Sequence, residues 1–394
     1  MYVSDFYKNF FGCKVYKISL DAGCTCPTRD GTKGSRGCIF CSASGSGDFA
    51  ATRGKPVSEQ IEEAKKLVEK KIAGRKGETG SGGKYIAYFQ NFTNTYGDPE
   101  RLAALYNEAA ACPDMAGISI GTRPDCLNDK ILSEISKLCD CAPGGGEHSS
   151  LAGHDAASDG RTHNALAGQD AASDERPHNA LAGYDAASDG RTHNALAGHS
   201  AASDERPHNA LAGQSAASNE RPHNALAGYD AVSHKAPFLV SIELGLQTVN
   251  EKSAEFIRRG FPLEEYFNAI RKIRKADSRI HIVTHVIFGL PGETEKDMMD
   301  TVRTVCETAD GIKISCLHVL KDTDLADLYE KGQVKTLGEE EYYNLIEKAL
   351  EIIPKDFVIH RLTGDGAKSI LIAPMWTGNK RKVHNELSRR FKIF

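Results

Sequence analysis

The stretch DAGCTCPTRDGTKGSRGCIFC puts Cys24, Cys26, Cys38 and Cys41 in a glycine-rich loop directly after an apolar run. Three thiolates hold three irons of a 4Fe–4S cluster and leave the fourth iron open to an outside ligand, as an iron–sulfur site that does chemistry requires. A tetrahedral zinc site is the main rival. It needs a fourth ligand, which Cys24 would have to supply from two residues before Cys26. Spacing alone leaves Cys24 and Cys26 interchangeable as first ligand, and buried free cysteines are the plain structural reading of all four. Cys112, Cys126, Cys139, Cys141, Cys306 and Cys316 form no second group of this kind. Burial as small apolar residues is the default for them, with Cys316 in KISCLHV a thiol that could face a cavity.

The elements that must position this loop are legible from periodicity. Short β-branched or aromatic runs at 15–21, 85–90, 117–121, 238–244, 280–288 and 311–319 alternate with amphipathic stretches at 58–71, 99–111, 128–138, 250–258, 263–276, 293–308 and 339–353. Six strands separated by helices predict parallel βα units, either an open doubly wound sheet or an incomplete barrel, with function where strands end and loops begin. From Leu151 onward a 15-residue unit of the type LAGHDAASDGRTHNA repeats, ending in a partial copy at Leu226. Its Leu and Ala content is too small to offset the entropy of ordering it, so 144–235 is expected to be disordered. Nine of the 14 histidines lie in or beside this segment, but they are mostly a whole repeat apart, which argues against a metal tract. The expected organisation is 1–143, the repeat insertion 144–235, a second half of the core at 236–335 and an extension at 336–394.

Composition bounds the class. The 394 residues, 40% hydrophobic, support one large or two ordinary domains. No apolar run approaches the roughly 20 residues that cross a bilayer, and MYVSDFYKNFFGCKVYKISL lacks the pattern of a secretory signal. A soluble, cytoplasmic protein with reduced thiols and no membrane partner is expected. A net charge of −4 gives no global polyanion signal. RKIRK at 271–275, KK at 70–71, NKRK at 379–382 and the terminal RRFKIF could still join into a local basic face. The sequence carries no signal for an oligomeric state.

At this point the residues carry a resemblance. GCTCPTRDGT with GCIFC, YFQNFTNTY, ISIGTRPDCL, SIELGLQTVN, THVIFGLPGET, GIKISCLHVLKDT, VIHRLTGDG and LIAPMWTGNK, in this order, resemble the radical S-adenosylmethionine (SAM) enzymes, and within them the YhcC-type proteins related to the radical domain of the elongator catalytic subunit. The resemblance implies an α/β fold, a partial (βα)6 TIM-like barrel interrupted by the repeats. It assigns a 4Fe–4S cluster to Cys26, Cys38 and Cys41, with Phe40 as the aromatic before the last ligand, and it sets Cys24 aside, since that group more usually has Phe there.

The same frame gives the other motifs roles toward SAM. Gln90, Asn94, Thr95 and Tyr96 would contact its methionine part, with a capped turn before Pro99 as the other reading of Asn94. Arg123 would pair with a carboxylate, Glu243 and Gln247 with ribose hydroxyl or amino groups, and Ile287, Gly289 and Gly292 would lie along the adenine edge. His285, His318, His360, Arg361 and Asp365 are the substrate-side candidates, each of them otherwise a hydrogen-bonded core or surface residue; Lys321 is a possible anion contact, otherwise solvated. The implied chemistry is reductive cleavage of SAM to a 5'-deoxyadenosyl radical that abstracts hydrogen from carbon. An electron donor such as flavodoxin or ferredoxin is implied, and transfer RNA, with a wobble uridine side chain, is the first substrate expectation. A metabolite or peptide substrate, and a zinc-stabilised binding module, are the alternatives.

Overall fold

Every strand of the main sheet is parallel to its neighbours, which requires each connection to cross over the sheet, and helices supply those crossovers. The computed structural model describes residues 1–45, 54–73, 83–141, 238–364, 366 and 368–392, all within one compact unit. In chain order the strands are β1 (Val15–Leu20), β2 (Lys84–Phe89), β3 (Met115–Thr122), β4 (Leu239–Gln247), β5 (His281–Phe288), β6 (Gly311–Cys316), β7 (Val319–Leu320), β8 (Val358–Arg361) and β9 (Leu371–Ala373). The sheet runs β1-β2-β3-β4-β5-β6-β8 and curls into a half-barrel, while β7 and β9 form a separate antiparallel pair. All eight residues of β3 are buried, as expected for a central parallel strand covered on both faces.

The six expected strands are present, and β8 adds a seventh. It lies in what the sequence suggested was an extension, because its apolar content is only Val358 and Ile359, too short a run to give a strand period. It pairs with β6 through Gly311↔Val358 and Ile312↔Ile359. All seven expected helices are present: α2 (Val57–Ala73), α3 (Pro99–Ala111), α4 (Asp129–Lys137), α5 (Glu251–Phe256), α6 (Leu263–Ala276), α7 (Glu295–Thr308) and α9 (Glu339–Ile352), with α1 (Val3–Phe11), α8 (Asp324–Glu330) and α10 (Lys380–Phe391) in addition. Their starts follow local chemistry. The Asp98 side chain accepts from Arg101 N at 2.8 Å ahead of Pro99, Asn128 accepts from Ile131 N at 3.0 Å, and Thr294 and Asp297 cap each other reciprocally. The repeat segment, 144–235, lies outside the described residues.

Helix α1 covers the N-terminal end of the strands. Phe6, Tyr7 and Phe11 are buried with Ile86, Ala116, Leu239 and Val358, which sit near the starts of β2, β3, β4 and β8. Phe6 stacks on His281 at 4.9 Å, and His281 Nε2 lies 2.9 Å from His360 Nε2. Burial pushes both imidazoles toward the neutral form, His281 to about 4. His360, a substrate-side candidate from sequence, therefore belongs to the packing beneath α1 and not to the open end of the barrel.

A pH dependence follows from that pair. A histidine whose pKa is lower folded than unfolded contributes stability above its unfolded value near 6.5, and that contribution is lost as pH falls toward 4. Urea unfolding should show stability falling through this window by on the order of 3 kcal/mol from His281. The His281→Gln variant should flatten that limb; an unchanged slope would refute the assignment.

Candidate functional site

The cysteine loop is built by its own backbone. Gly37 N donates to Thr28 O at 2.7 Å, Lys33 N to Pro27 O at 2.7 Å and Arg29 N to Cys26 O at 2.8 Å, so the segment between Cys26 and Cys38 folds back on itself. Gly37 has φ +73°, and a Cβ there would lie 2.8 Å from Arg29 Nε, so the turn needs glycine on both counts. The Arg29 guanidinium then donates to Cys41 O at 3.0 Å and Ser42 O at 2.6 Å, tying the far end of the loop to its beginning. The floor beneath is fixed by Asp21, whose N–H donates to Gln60 Oε1 at 2.9 Å and whose carboxylate accepts from Asn91 Nδ2 at 2.7 Å.

Cys26, Cys38, Phe40 and Cys41 all line one wall of a cavity of about 290 Å³ at the C-terminal ends of the strands. Cys24 is buried in the apolar core beside Arg101, 3.6 Å from Nη2, and does not reach the cavity. Among the described residues no three His, Cys, Asp or Glu side chains are grouped to hold a single metal ion. Three cysteines of one loop that line one space are a donor set that fits a cluster with one iron left open. Burial pushes the Cys38 thiol up to about 12, so an electropositive ligand is needed to keep it deprotonated.

Tyr88, Glu243 and His285 bring polar groups from the strands to the same cavity. Glu243 on β4 is fully buried, and its carboxylate accepts from Lys17 on β1, from Ser119 Oγ on β3 at 2.7 Å, from His285 Nε2 on β5 at 2.7 Å and from Lys313 on β6. Lys313 also donates to the Tyr88 hydroxyl on β2 at 3.3 Å, and its ammonium lies 4.4 Å from the Tyr88 ring centre. Lys17 reaches Glu243 across two intervening strands, which only the concave face of a curled sheet allows. Burial alone would raise Glu243, but Lys17, Lys313 and His285 outweigh it and hold the carboxyl well below its usual range. Two ammonium groups share this one carboxylate. Lys17 is held above its ordinary value against the pull of burial, whereas burial, with repulsion from Lys17 and Arg361, takes Lys313 down to about 7 despite Glu243. Because ionised Glu243 only accepts, His285 carries its proton on Nε2, and burial favours the neutral ring.

The structure brings together most of the residues picked out from sequence. Gln90, Arg123, Glu243, Gln247 and Ile287 line the cavity, as do His285, His318 and Arg361. A bulge between Gly245 and Gln247, with Gln247 at φ +71°, ends the β4 pairing beside that wall. Cys316 also lines the cavity, and burial pushes its thiol up to about 12. Asn94, Thr95 and Tyr96 do not line it. Asn94 Nδ2 donates to Phe89 O and Gly121 O at 3.0 and 2.8 Å, Thr95 Oγ1 meets Thr122 Oγ1 at 2.6 Å, and Tyr96 bonds Thr32 at 2.9 Å. The polar run thus joins the ends of β2 and β3 and leaves contact with a ligand to Gln90. Gly289 and Gly292 are also off the wall; both have φ near +84°, and Gly289 packs against Leu337. Arg123 does pair with a carboxylate, but with Asp125 of its own chain. Asp365 lies outside the described residues.

Sequence reasoning missed Lys17, Tyr88, Ser119, Lys313 and Arg259. The first four share a signal: each is a polar residue set among apolar neighbours within a strand, in VYKISL, KYIAYF, MAGISIGT and GIKISC. Arg259 is buried and donates to Phe261 O at 3.0 Å and Thr248 O at 2.6 Å, closing the loop that carries Phe261 to the cavity.

Residues 231–305 match the family described as the Radical SAM superfamily, and 309–392 match the Radical_SAM C-terminal domain. The chain is 32% identical to the uncharacterized protein YtqA of Bacillus subtilis over 386 residues, 98% of this chain and 87% of that protein. It is 24% identical to Protein YhcC of Escherichia coli over 380 residues, 96% of this chain and 88% of that protein. The solved structure of the archaeal Methanocaldococcus infernus Elp3 with N-terminus deletion aligns with a TM-score of 0.50 at 14% identity, covering 97% of this chain and 64% of that one, a likeness of fold.

Replacing Glu243 with Gln would leave Lys17 and Lys313 buried without a counter-charge. We expect a loss of about 3–5 kcal/mol at pH 7, read by urea unfolding. Glu243 contributes above the unfolded carboxylate pKa near ~4.3 and ceases to contribute as pH falls through its lower folded value, so the gap between parent and variant should narrow in acid.

Proposed function

Because the chain belongs to the radical SAM superfamily, in the YhcC-type group, and is an enzyme of that class, we propose that Cys26, Cys38 and Cys41 hold its 4Fe–4S cluster and that the cavity beside them receives SAM and the substrate. The observation that carries this reading is that Cys26, Cys38 and Cys41 line one cavity together with Tyr88, Glu243 and His285 from the strands. When bound, the cluster supplies the electron that cleaves SAM reductively, giving a 5'-deoxyadenosyl radical able to take hydrogen from carbon.

The chain's residues do the rest. Gln90, which lines the cavity, is oriented by Ser19, whose hydroxyl donates to its Oε1 at 3.2 Å. Gln247 and Ile287 border the same space from β4 and β5. Tyr88, Glu243 and His285 form the substrate side, fixed before any ligand arrives by the hydrogen bonds among them and to Lys313. Burial of these groups keeps bulk water from a reactive radical. Among the described residues no helix is long and apolar enough to cross a membrane.

For the substrate, we favour a transfer RNA base. The support is partial similarity to a tRNA uridine(34) acetyltransferase of Methanocaldococcus jannaschii, 28% identical over 135 residues, 33% of this chain. A base would have to leave its stack to enter the cavity, which Phe40, Phe92 and Phe261 line. A reduced flavodoxin or ferredoxin would supply the electron.

Anaerobic reconstitution, reduction with dithionite and chromatography after adding SAM should yield 5'-deoxyadenosine from the parent and from Cys24→Ala. The Cys26→Ala, Cys38→Ala and Cys41→Ala variants should yield none and should fail to retain iron and acid-labile sulfide in cluster stoichiometry. Stoichiometric zinc with no cluster in the parent would defeat the assignment. Unmodified transfer RNA should bind with an affinity that drops steeply as salt rises; salt-insensitive or absent binding would turn the search to metabolites or peptides.

A further inference from the structure

Arg123 follows β3, lines the cavity with Cys26, Cys38 and Cys41, and is buried. Its guanidinium is already engaged: Nε donates to Asp125 Oδ1 at 3.0 Å and Nη2 to Oδ2 at 2.9 Å. Asp125 also accepts from Lys33 Nζ at 2.6 Å, so the carboxylate is held from two sides. The Nε/Nη2 edge of the guanidinium is thus taken by a carboxylate of its own chain, so the grip on an amino-acid carboxylate that the sequence suggested does not run through that edge. What it still offers the cavity is charge. That charge acts on Cys26 and Cys38, and the guanidinium lies 5.0 Å from the Phe261 ring centre.

A second feature acts in the same direction. Thr28 Oγ1 lies 3.1 Å from Cys26 Sγ, and against a deprotonated sulfur the hydroxyl can only donate. Reducing a cluster adds one negative charge. A hydrogen bond to a ligand sulfur and a nearby cation stabilise that added charge, a nearby carboxylate opposes it, and all three effects are strong where solvent screening is weak.

We propose that Thr28 and the Arg123–Asp125 pair set the reduction potential of the cluster on Cys26, Cys38 and Cys41, Thr28 and Arg123 raising it and Asp125 holding it down. The proposal rests on the assignment of those three cysteines. Arg123 is then a positioning and tuning residue whose damper is built two positions along the chain, and Lys33 limits how far the damper acts.

The experiment is a mediated redox titration of the reconstituted full chain with dithionite, followed by electron paramagnetic resonance of the reduced cluster, with iron, sulfide and SAM binding measured on each sample. Thr28→Val and Arg123→Gln should move the midpoint down and Asp125→Asn should move it up, each by about tenfold in the reduction equilibrium, or about 59 mV for one electron. Arg123→Lys, which keeps the charge without the fork, should restore most of the parent midpoint.

Midpoint shifts of the same sign in Arg123→Gln and Asp125→Asn would mean general disturbance of the loop and would overturn the proposal. Lost SAM binding with an unmoved midpoint would make Arg123 a ligand clamp instead. If Arg123→Gln fails to fold, Thr28→Val against Asp125→Asn still give the opposed signs that decide it. A parent without cluster would fail the cysteine assignment itself, which the iron and sulfide measurements show separately from any midpoint.

Discussion

One buried carboxylate determines whether this barrel can have a polar interior. Glu243 lies where a parallel barrel would normally pack branched aliphatic side chains, and it is paired there with two lysines, a histidine and a serine from four other strands. Without it, Lys17 and Lys313 would be unpaired charges in an apolar surround, and desolvation would expel them or force them neutral. With it, the concave face holds a polar layer one step above the apolar packing of α1. The cavity is the space left above that layer.

The loops around the cavity obey a related constraint: few of their polar groups are left for solvent to satisfy. Asp21 exchanges hydrogen bonds with Gln60 and Asn91, Asn94 spans the ends of β2 and β3, and Arg29 collects the carbonyls of Cys41 and Ser42. Each contact joins a loop to a strand end or to another loop. The thiols are therefore positioned by a loop that is already tied by hydrogen bonds, and a ligand arriving at the site has less ordering left to impose.

What the sequence made legible follows from how local the cause is. The cysteine loop, the six longer strands and seven helices show in spacing and period, because neighbours in the chain produce them. Strand β8 did not show, since four residues give no period, and α1 did not show, since VSDFYKNFF carries aromatics whose burial depends on strands hundreds of residues away. Glu243 was visible as a polar residue in an apolar strand, but its partner Lys17 is 226 residues earlier. Asn94 illustrates the opposite case. Its position after a strand marked it as important, and the importance lies in joining two strand ends by their carbonyls.

The meeting of α1 with β8 has a consequence for how the protein is made. Tyr2 bridges to Ile359, and α1 packs on Val358, so the earliest helix of the chain finds its full partner only in the seventh strand. During synthesis α1 must wait while more than three hundred residues emerge, with Phe6, Tyr7 and Phe11 lacking their final surface. Contacts of such long sequence separation form late and slowly. The half-barrel is in this sense a clasp whose two halves are separated by more than three hundred residues of chain. A ribosome that stops early releases a chain with its cysteine loop complete and its clasp open, a species with an exposed aromatic face that chaperones would be expected to hold.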